Sequence, residues 1–402
     1  MFIELSIIIF LSTLTGHTCS TLPELLKDLP PSLQDEVYLK VPKIITKYHY
    51  PVETHEVTTD DGYLLVLHRI VPIKKPHKGA VLVMHGILAS SADWIITGPR
   101  NGLGYILADE GYDVWLGNAR GNRYSRNHIN LSPDSKKFWN FSWHEIGSYD
   151  IPAMIDHIIE TTGQSKIFHI GHSQGTTTFY VMCSLRPEYN NKIRAHFSLA
   201  PVAFVNHMFS PIFQTLAKGN IIIEDMVDLI DLNEVMPKGG FVSLLGQTVC
   251  GINTMTKILC GNTLFAICGF NPKQLNTTIL PLILAHIPAG SSTKQLLHYA
   301  QEINSGKFHQ YDYGFFSNLK RYSSWKSPNY DLSKITAPLY FFYSTNDWIS
   351  SSRDVNDFAK KLTSLRGKFL VSDYGFDHMD YLFGIQAPQL VYHKILSLMT
   401  RH

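Results

Sequence analysis

The stretch from residue 166 to 176 constrains the fold of this chain more than any other. It reads Lys-Ile-Phe-His-Ile-Gly-His-Ser-Gln-Gly-Thr, which predicts a short strand, a Gly-x-Ser-x-Gly turn centred on Ser173, and a helix over 176–185. Between a strand and a helix this turn strains the serine backbone, and its glycines let the two elements approach closely. The alternative is a glycine-rich turn whose serine only caps the helix, because average composition yields the pattern by chance in roughly one of ten such chains.

Short apolar segments recur along the rest of the chain. Polar and apolar residues alternate on both sides of Asp60-Asp61-Gly62, which predicts a β-hairpin over 53–59 and 63–70. Further strands are predicted at 79–86, 112–116, 166–170, 193–200, 338–343 and 368–371. Helical stretches such as 151–162 lie between most of them, so we predict an α/β fold with a mostly parallel central sheet flanked by helices.

This alternation of strands and helices stops between about residues 205 and 330. Within 239–270 only Lys257 is charged, but the run is interrupted by Gly246, Gly251, Gly261 and Gly269, as a membrane helix would not be. Two interpretations remain, an ordinary helical insertion with a buried face or a mobile lid whose apolar side closes over Ser173. The position of the segment, between the strand that follows the serine turn and the next sheet strand, favours an inserted, mainly helical cap.

An activated serine needs a base, an acid that orients the base, and amide donors for the oxyanion. In a sheet of this kind the acid and then the base follow the serine, each in a loop after a late strand. The segment 339–347 is a strand that ends at Asp347, and 369–378 is a strand followed by a loop with His378. The predicted triad is therefore Ser173, Asp347 and His378, with oxyanion amides from Gln174 and from the loop after Gly86.

Two nearby features have simpler interpretations. Asp380 lies two residues from His378, where sequence neighbours seldom have catalytic geometry, and a structural hydrogen bond is its predicted role. The chain has 19 histidines, and we find no paired histidine or cysteine spacing typical of a metal site. We therefore expect neither a metal nor an organic cofactor. The net charge of +2 disfavours a nucleic-acid partner.

The N-terminus predicts a signal peptide over residues 1–19. An apolar run too short for a membrane span is followed by Thr18-Cys19-Ser20, which suits cleavage. Residues 20–402 then form the main domain, without a transmembrane segment. The 45% hydrophobic content of the full 402-residue sequence is enough for a large core. The leader fits secretion, to the extracellular space or a digestive lumen, with lysosomal delivery as the alternative.

Passage through the secretory pathway would modify the chain further. The sequons at Asn130 and Asn276 are predicted glycosylation sites, whereas Asn140 lies among aromatic residues and is expected to be buried and unmodified. Cys250 and Cys260 close a short loop and are plausible as a disulfide in an oxidising compartment. Cys183, on the helix after Ser173, is expected to be a buried thiol.

With these residues placed, the sequence resembles the acid lipase family, which comprises gastric, lysosomal acid and insect-type lipases of the α/β-hydrolase fold. The similarity runs from about residue 41 to 398. The segments that carry it are Thr59-Asp-Asp-Gly-Tyr, His85-Gly-Ile-Leu-Ala-Ser-Ser-Ala-Asp-Trp94, Asp113-Val-Trp-Leu-Gly-Asn-Ala-Arg-Gly-Asn122, Gly171-His-Ser-Gln-Gly-Thr-Thr177, Leu199-Ala-Pro-Val-Ala203, Cys268-Gly-Phe-Asn271, Pro288-Ala-Gly290, Asn346-Asp-Trp348 and Asp377-His-Met-Asp-Tyr381.

The resemblance implies the same triad and adds several assignments. It selects Ile87 rather than Leu88 as the second oxyanion donor beside Gln174. It also implies a lid within 205–330 and a disulfide matching Cys250–Cys260, with Cys268 free. The implied activity is a lipase that hydrolyses long-chain carboxylic esters of neutral lipids, triglycerides or sterol esters, at a lipid–water interface.

Two other functions are compatible with this fold. The first is a lipid-binding or storage protein without turnover, since fold does not imply function. The intact Ser173, Asp347 and His378 set disfavours it. The second is an esterase for small soluble esters, which the large apolar region at 239–270 disfavours.

Overall fold

The strands of the protein build one large sheet and one short ribbon. A computed structural model describes residues 29–73, 77–219, 233–235, 269 and 271–402. Strands β1 to β11 in that part of the chain are Val52–Thr58, Tyr63–Ile70, Ala80–Met84, Asp113–Leu116, Asn127–His128, Ile167–His172, Ile193–Leu199, Glu234–Val235, Ser291–Ser292, Leu339–Tyr343 and Leu365–Leu370.

Nine of these strands form the central sheet in the order β1-β2-β4-β3-β6-β7-β10-β11, with β5 paired to β2. Strands from β4 to β11 in this order run parallel, and the β1–β2 hairpin and the β2–β4 pair are antiparallel. The predicted hairpin and mainly parallel sheet are confirmed. The last predicted strand is displaced, since β11 begins at Leu365 rather than at residue 368.

Helices cover the sheet and also occur in the described part of the insertion. In the described part of the chain, helices α1 to α12 are Val41–Lys47, Leu103–Asp109, Trp143–Glu145, Ile151–Thr162, Gln174–Leu185, Pro211–Lys218, Leu280–His286, Thr293–Ser305, Phe315–Tyr322, Ser352–Ala359, Asp380–Phe383 and His393–Met399. A π-helical stretch, Ile146–Asp150, joins α3 to α4.

The core lies on both faces of this sheet. Every residue of β3 and β6 is buried, as expected of central parallel strands that helices cover on both sides. By contrast, β11 alternates half-buried and exposed residues because it is an edge strand. The carboxyl ends of β3, β6, β7 and β10 therefore meet at one edge of a rigid, buried layer, and the loops that follow them share a small region of the molecule.

Helices α6 to α9 lie between β7 and β10 in the chain, where the sequence predicts the cap. The apolar run at 239–268, with Cys250, Cys260 and Cys268, lies outside the described residues, as does the predicted signal peptide. None of the helices in the described ranges combines the length and apolarity that crossing a bilayer requires.

One prediction about burial is wrong. Asn140 is exposed, and its amide oxygen accepts a hydrogen bond from Nζ of Lys294 at 3.0 Å. Its neighbours Phe138, Trp139 and Phe141 are buried as expected. The backbone turns between these aromatic residues, so the side chain of Asn140 points out of the cluster.

Candidate active site

Ser173 occupies the turn between β6 and α5 with strained backbone angles. Its φ is 52° and its ψ is −120°, a conformation that non-glycine residues rarely adopt. A Cβ on Gly171 would lie 2.6 Å from the carbonyl oxygen of Gly175, and one on Gly175 would lie 2.2 Å from that of Met84. The glycines are therefore required by close packing, as predicted, and α5 begins immediately after the serine, two residues earlier than predicted.

The predicted acid and base are in direct contact. Nδ1 of His378 lies 2.8 Å and 3.0 Å from the two carboxylate oxygens of Asp347, and both side chains are buried. Asp347 also accepts the backbone N–H groups of Ile349 and Ser350 at 2.9 Å and 2.8 Å, which fixes its orientation. Because the carboxylate only accepts, Nδ1 of His378 carries the proton and Nε2 is left as a base.

The loop after β3 lies beside the serine. A Cβ on Gly86 would be 3.2 Å from Cβ of Ser173, so the backbone of this loop runs against the turn. In the described part of the chain, the amides of Ile87 and Gln174 donate to no other group. Two free N–H groups beside a serine are the requirement for an oxyanion hole.

Buried hydrogen bonds hold the oxyanion loop in place. Nε2 of His85 accepts from the Ala119 amide and the Asn122 side chain, each at 3.1 Å, so Nδ1 donates to the Gly86 carbonyl at 2.7 Å. Burial lowers the pKa of His85 to about 4, which keeps the ring neutral. The carbonyl of Leu88 accepts the amide of Ala289, from the insertion, at 2.6 Å.

His172 fixes the loop that carries the base. Its Nε2 lies 2.8 Å from the backbone carbonyl of His378, so this nitrogen carries the proton and donates to that oxygen. Burial, with the nearby His378, lowers the pKa of His172 well below its usual value. The ring is therefore a neutral donor that ties β6 to the base loop.

A cavity of about 130 Å³ opens beside Ser173 and His378. Its wall is mainly apolar, and α6 and α8 of the insertion contribute Phe213 and Tyr299 to it. The remaining lining residues are Gly86, Ile87, Leu88, Ala89, Asp93, His172, Val202, Met208, Ile287, Ile349, Met379 and Leu382. Such a cavity suits an apolar substrate group next to the serine.

Helix α8 also contacts the serine turn directly. Nε2 of Gln174 donates to Oε1 of Gln295 at 2.6 Å, and the hydroxyls of Thr177 and Tyr299 lie 3.0 Å apart. The predicted cap thus contacts α5 through buried polar groups as well as through the cavity wall. The sequence analysis did not identify Gln295, since a glutamine in a helix carries no signal of its tertiary partner.

A short segment before α7 braces the loop that carries the base, and the sequence analysis did not assign it a role. The amide of Asn271 donates to the Asp380 carboxylate at 2.9 Å, and Gln274 donates to Asp373 at 2.9 Å. Asp380 also accepts the Asp377 amide at 2.9 Å, so its predicted structural role is confirmed. The only sequence signal was the Cys268-Gly-Phe-Asn271 match.

The other predicted residues lie away from this cavity. Asn130 and Asn276 are both exposed, so their glycosylation stays a prediction. Cys183 is fully buried and unpaired, which confirms its predicted state, and burial raises its pKa well above the usual value. Within the described ranges no group of His, Cys, Asp or Glu residues has an arrangement that could hold a metal ion.

Comparison with known proteins gives near-complete matches. A family model described as a partial alpha/beta-hydrolase lipase region matches residues 41–98, and one for the alpha/beta hydrolase fold matches 79–226. Lipase 1 of Drosophila melanogaster is 41% identical over 92% of this chain and 82% of its own length. Rat gastric triacylglycerol lipase is 38% identical, covering 91% and 92%, and human lysosomal acid lipase/cholesteryl ester hydrolase is 36% identical, covering 92% and 93%.

The chain belongs to the acid lipase family. This acid lipase is a carboxylic ester hydrolase of the serine hydrolase class. A solved structure, a soluble variant of monoglyceride lipase from Saccharomyces cerevisiae with a substrate analog, superimposes with a TM-score of 0.51 at 13% identity. It covers 88% of this chain and 98% of that one. This likeness confirms the α/β-hydrolase fold.

Proposed function

We propose that this acid lipase hydrolyses long-chain esters of neutral lipids, triglycerides and sterol esters, with Ser173 as nucleophile, His378 as base and Asp347 as acid. The single observation that carries the assignment is the hydrogen bond of 2.8 Å between Nδ1 of His378 and Asp347, beside a cavity that both Ser173 and His378 line. The names of the gastric and lysosomal relatives support both substrate classes.

The proposed reaction is acyl transfer in two steps. Nε2 of His378 takes the proton from Oγ of Ser173 while this oxygen bonds to the ester carbonyl carbon, and the amides of Ile87 and Gln174 hold the resulting oxyanion. The ester C–O bond then breaks, and His378 returns the proton to the departing alcohol. In the second step His378 deprotonates a water that bonds to the acyl carbon, the bond from this carbon to Oγ of Ser173 breaks, and His378 returns the proton to Oγ as the fatty acid leaves. Asp347 holds the imidazole ring and stabilises its charged form.

The shape of the site supports a large apolar acyl group. The carbonyl must lie against Ser173, and from there the mainly apolar wall leads to Phe213 and Tyr299. Burial of an acyl chain against such a wall is favourable by about 25 cal/mol for each Å² of apolar surface removed from water. Short soluble esters gain little of this energy, so we expect them to be poorer substrates.

The test is hydrolysis of triolein, cholesteryl oleate and a short soluble ester by the secreted enzyme at acidic and at neutral pH. We expect turnover of the long-chain esters and its loss in Ser173→Ala, by about 10⁴-fold or more, because no other group can form the acyl-enzyme. Equal unfolding curves for the two proteins show that the fold is kept. Substantial activity left in Ser173→Ala contradicts the triad, and a folded enzyme inactive on all three esters supports the lipid-binding alternative.

We also propose secretion as the destination, with the lysosome as the alternative, consistent with gastric and lysosomal relatives. Glycans at the exposed Asn130 and Asn276 and a Cys250–Cys260 disulfide belong to the same proposal. Mass spectrometry of the secreted protein, before and after glycosidase and reductant, tests all three modifications.

A further inference from the structure

Helix α9 has an inverted distribution of apolar and polar residues. The one residue of this helix that is fully buried is Asn318, whereas Phe315 is 54% exposed, Phe316 82% and Leu319 40%. Trp325, in the turn after the helix, is 50% exposed. A helix on a water-facing surface ordinarily buries its apolar side, so this arrangement needs a partner other than water.

These four side chains form a defined surface, which we call the α9 patch. The rings of Phe315 and Trp325 stack with centroids 3.9 Å apart, and Phe316 meets Phe315 edge to face at 5.3 Å. The buried amide of Asn318 donates to the Trp325 carbonyl at 3.2 Å, which holds the turn against the helix. The patch is therefore ordered before it meets any partner.

The exposed charge on α9 and in the turn after it is basic. Lys320, Arg321 and Lys326 are all exposed, and residues 313–330 contain no acidic residue. The carboxylate of Asp312, just before the helix, accepts from the Gly314 amide and the Asn318 side chain. Aromatic and aliphatic side chains flanked by basic ones match the interface of a membrane or droplet that contains anionic lipid, where the rings enter the apolar layer and the cations meet head groups. The same positive charge disfavours pairing of two copies through this surface.

The patch is attached to the helix that borders the catalytic cavity. The Gln301 side chain, in α8, accepts the amide of Asp312 and donates to its carbonyl, each at 2.9 Å. Asp312 in turn accepts the amide of Gly314 at the start of α9. Since α8 also places Tyr299 in the cavity wall, one helix connects the patch with the site.

We propose that the α9 patch is a docking surface for lipid–water interfaces that carry anionic lipid. This role rests on the proposed function, because an enzyme that cleaves insoluble esters must reach a lipid surface. Apolar burial of the rings supplies attraction to any lipid surface, and the basic residues add a part that depends on anionic lipid and on salt.

The experiment measures binding to vesicles in the Ser173→Ala background, so that turnover does not enter. We expect the parent to bind phosphatidylcholine vesicles containing phosphatidylserine more tightly than pure phosphatidylcholine, with binding that falls as salt rises. Phe316→Ser/Trp325→Ser should weaken binding to both kinds of vesicle by about tenfold. Lys320→Ser/Arg321→Ser should weaken binding to the anionic vesicles alone. The matched control is Tyr38→Ser, which removes a 66% exposed aromatic ring elsewhere.

Several outcomes overturn the proposal. They are a parent that binds neither vesicle, an apolar double variant that binds like the parent, and a Tyr38→Ser control that loses as much binding as the patch variants. A parent dimer that the apolar variant converts to a monomer makes the patch a self-association surface instead. With Ser173 restored, an unchanged rate on a short soluble ester shows that the variants fold. Failure to cleave long-chain esters would sink the proposed function and leave the vesicle result standing.

Discussion

Asp93 places a carboxyl group in the mainly apolar wall of the catalytic cavity. It is 1% exposed, and neither of its carboxyl oxygens has a hydrogen-bond partner in the described part of the chain. Burial raises its pKa to about 8, because it removes the hydration of a negative charge and the nearby backbone amides of Ser90 and Asp93 offset this loss only in part. At neutral pH this side chain is a neutral acid, and no charge lies in the cavity wall at this position.

The free energy of unfolding should depend on this proton. In the unfolded chain Asp93 loses its proton near pH 4, whereas in the folded protein it keeps it until about pH 8. The contribution of Asp93 to the free energy of unfolding is therefore largest below about pH 4, and it falls as the pH rises to about 8. Asp93→Asn should remove that slope, and it should be more stable relative to the parent at pH 8 than at pH 4.

Urea unfolding across this pH range measures the effect. Asp134→Asn is the control, because it removes an exposed carboxylate and should leave the slope unchanged. An Asp93→Asn protein with the parent's pH dependence would contradict the assignment of the proton to Asp93.

For single residues, the sequence predicts a role well where the position of the residue relative to a strand decides that role. Asp347 and His378 follow late strands, and that alone indicated that they would meet. The burial of Asp93 and of Asn140 depends instead on the direction in which each side chain points. Asp93 stands in a largely apolar stretch and is buried with it, whereas Asn140 stands among buried aromatic residues and points outward. Local composition does not fix that direction.

Between the acid and base loops lies the backbone of Gly269. Its φ is 121°, and a Cβ there would lie 2.3 Å from the carbonyl oxygen of Asn346 and 2.9 Å from Cβ of Asp377. These two residues are the immediate neighbours of Asp347 and His378. The segment from the insertion thus sets the spacing of the two loops that hold the acid–base pair.

Gly269→Ala should separate these loops and reduce turnover. A displacement of about 1 Å between catalytic groups can lower the rate about 100-fold, so we expect a loss of that order in kcat on a short soluble ester. Gly163→Ala is a matched control, because Gly163 has a φ of 70° and no atom within 4 Å of the added Cβ. An added Cβ at Gly163 has only the cost of the left-handed conformation, about 1–2 kcal/mol, without a collision. A kcat of Gly269→Ala equal to that of Gly163→Ala would contradict the prediction, because the added Cβ would then leave the acid–base pair in place.

Element boundaries followed the sequence where apolar runs were long. Strands β3, β6, β7 and β10 lie where they were predicted, because central parallel strands read as continuous apolar runs. The two-residue strands β5, β8 and β9 were not predicted, since so short a segment has no periodicity. In helix α9 the apolar residues did not indicate the buried face, because Phe315, Phe316 and Leu319 are exposed.

Across the whole molecule, Arg120 joins three parts of the fold. Its guanidinium donates to Asp150 in the π-helical stretch at 2.6 Å and to Asp61 in the hairpin turn at 2.5 Å and 2.8 Å, over the ring of Tyr63 at 4.0 Å. Both Arg120 and Asp150 are fully buried. Burial raises the pKa of Asp150 to about 6, although Arg120 opposes that shift.

Removal of Arg120 alone should destabilise the folded protein. Arg120→Met leaves the Asp150 carboxylate buried without its counterion, and we expect a loss of about 3–5 kcal/mol in the free energy of unfolding. Arg120→Met/Asp150→Asn removes both charges and should lose less than the single variant. Urea unfolding of the three proteins measures this order. A double variant less stable than the single would mean that packing of the Arg120 side chain, not its charge, joins these parts.

The order of the strands along the chain has a consequence for biosynthesis. Strand β6 delivers Ser173 long before β10 and the loop after β11 supply Asp347 and His378. On the proposed assignment, a nascent chain exposes a serine turn with neither acid nor base beside it. The enzyme therefore becomes competent only when β10 and β11 dock, and a lipid-cleaving activity is withheld until these later strands have been made.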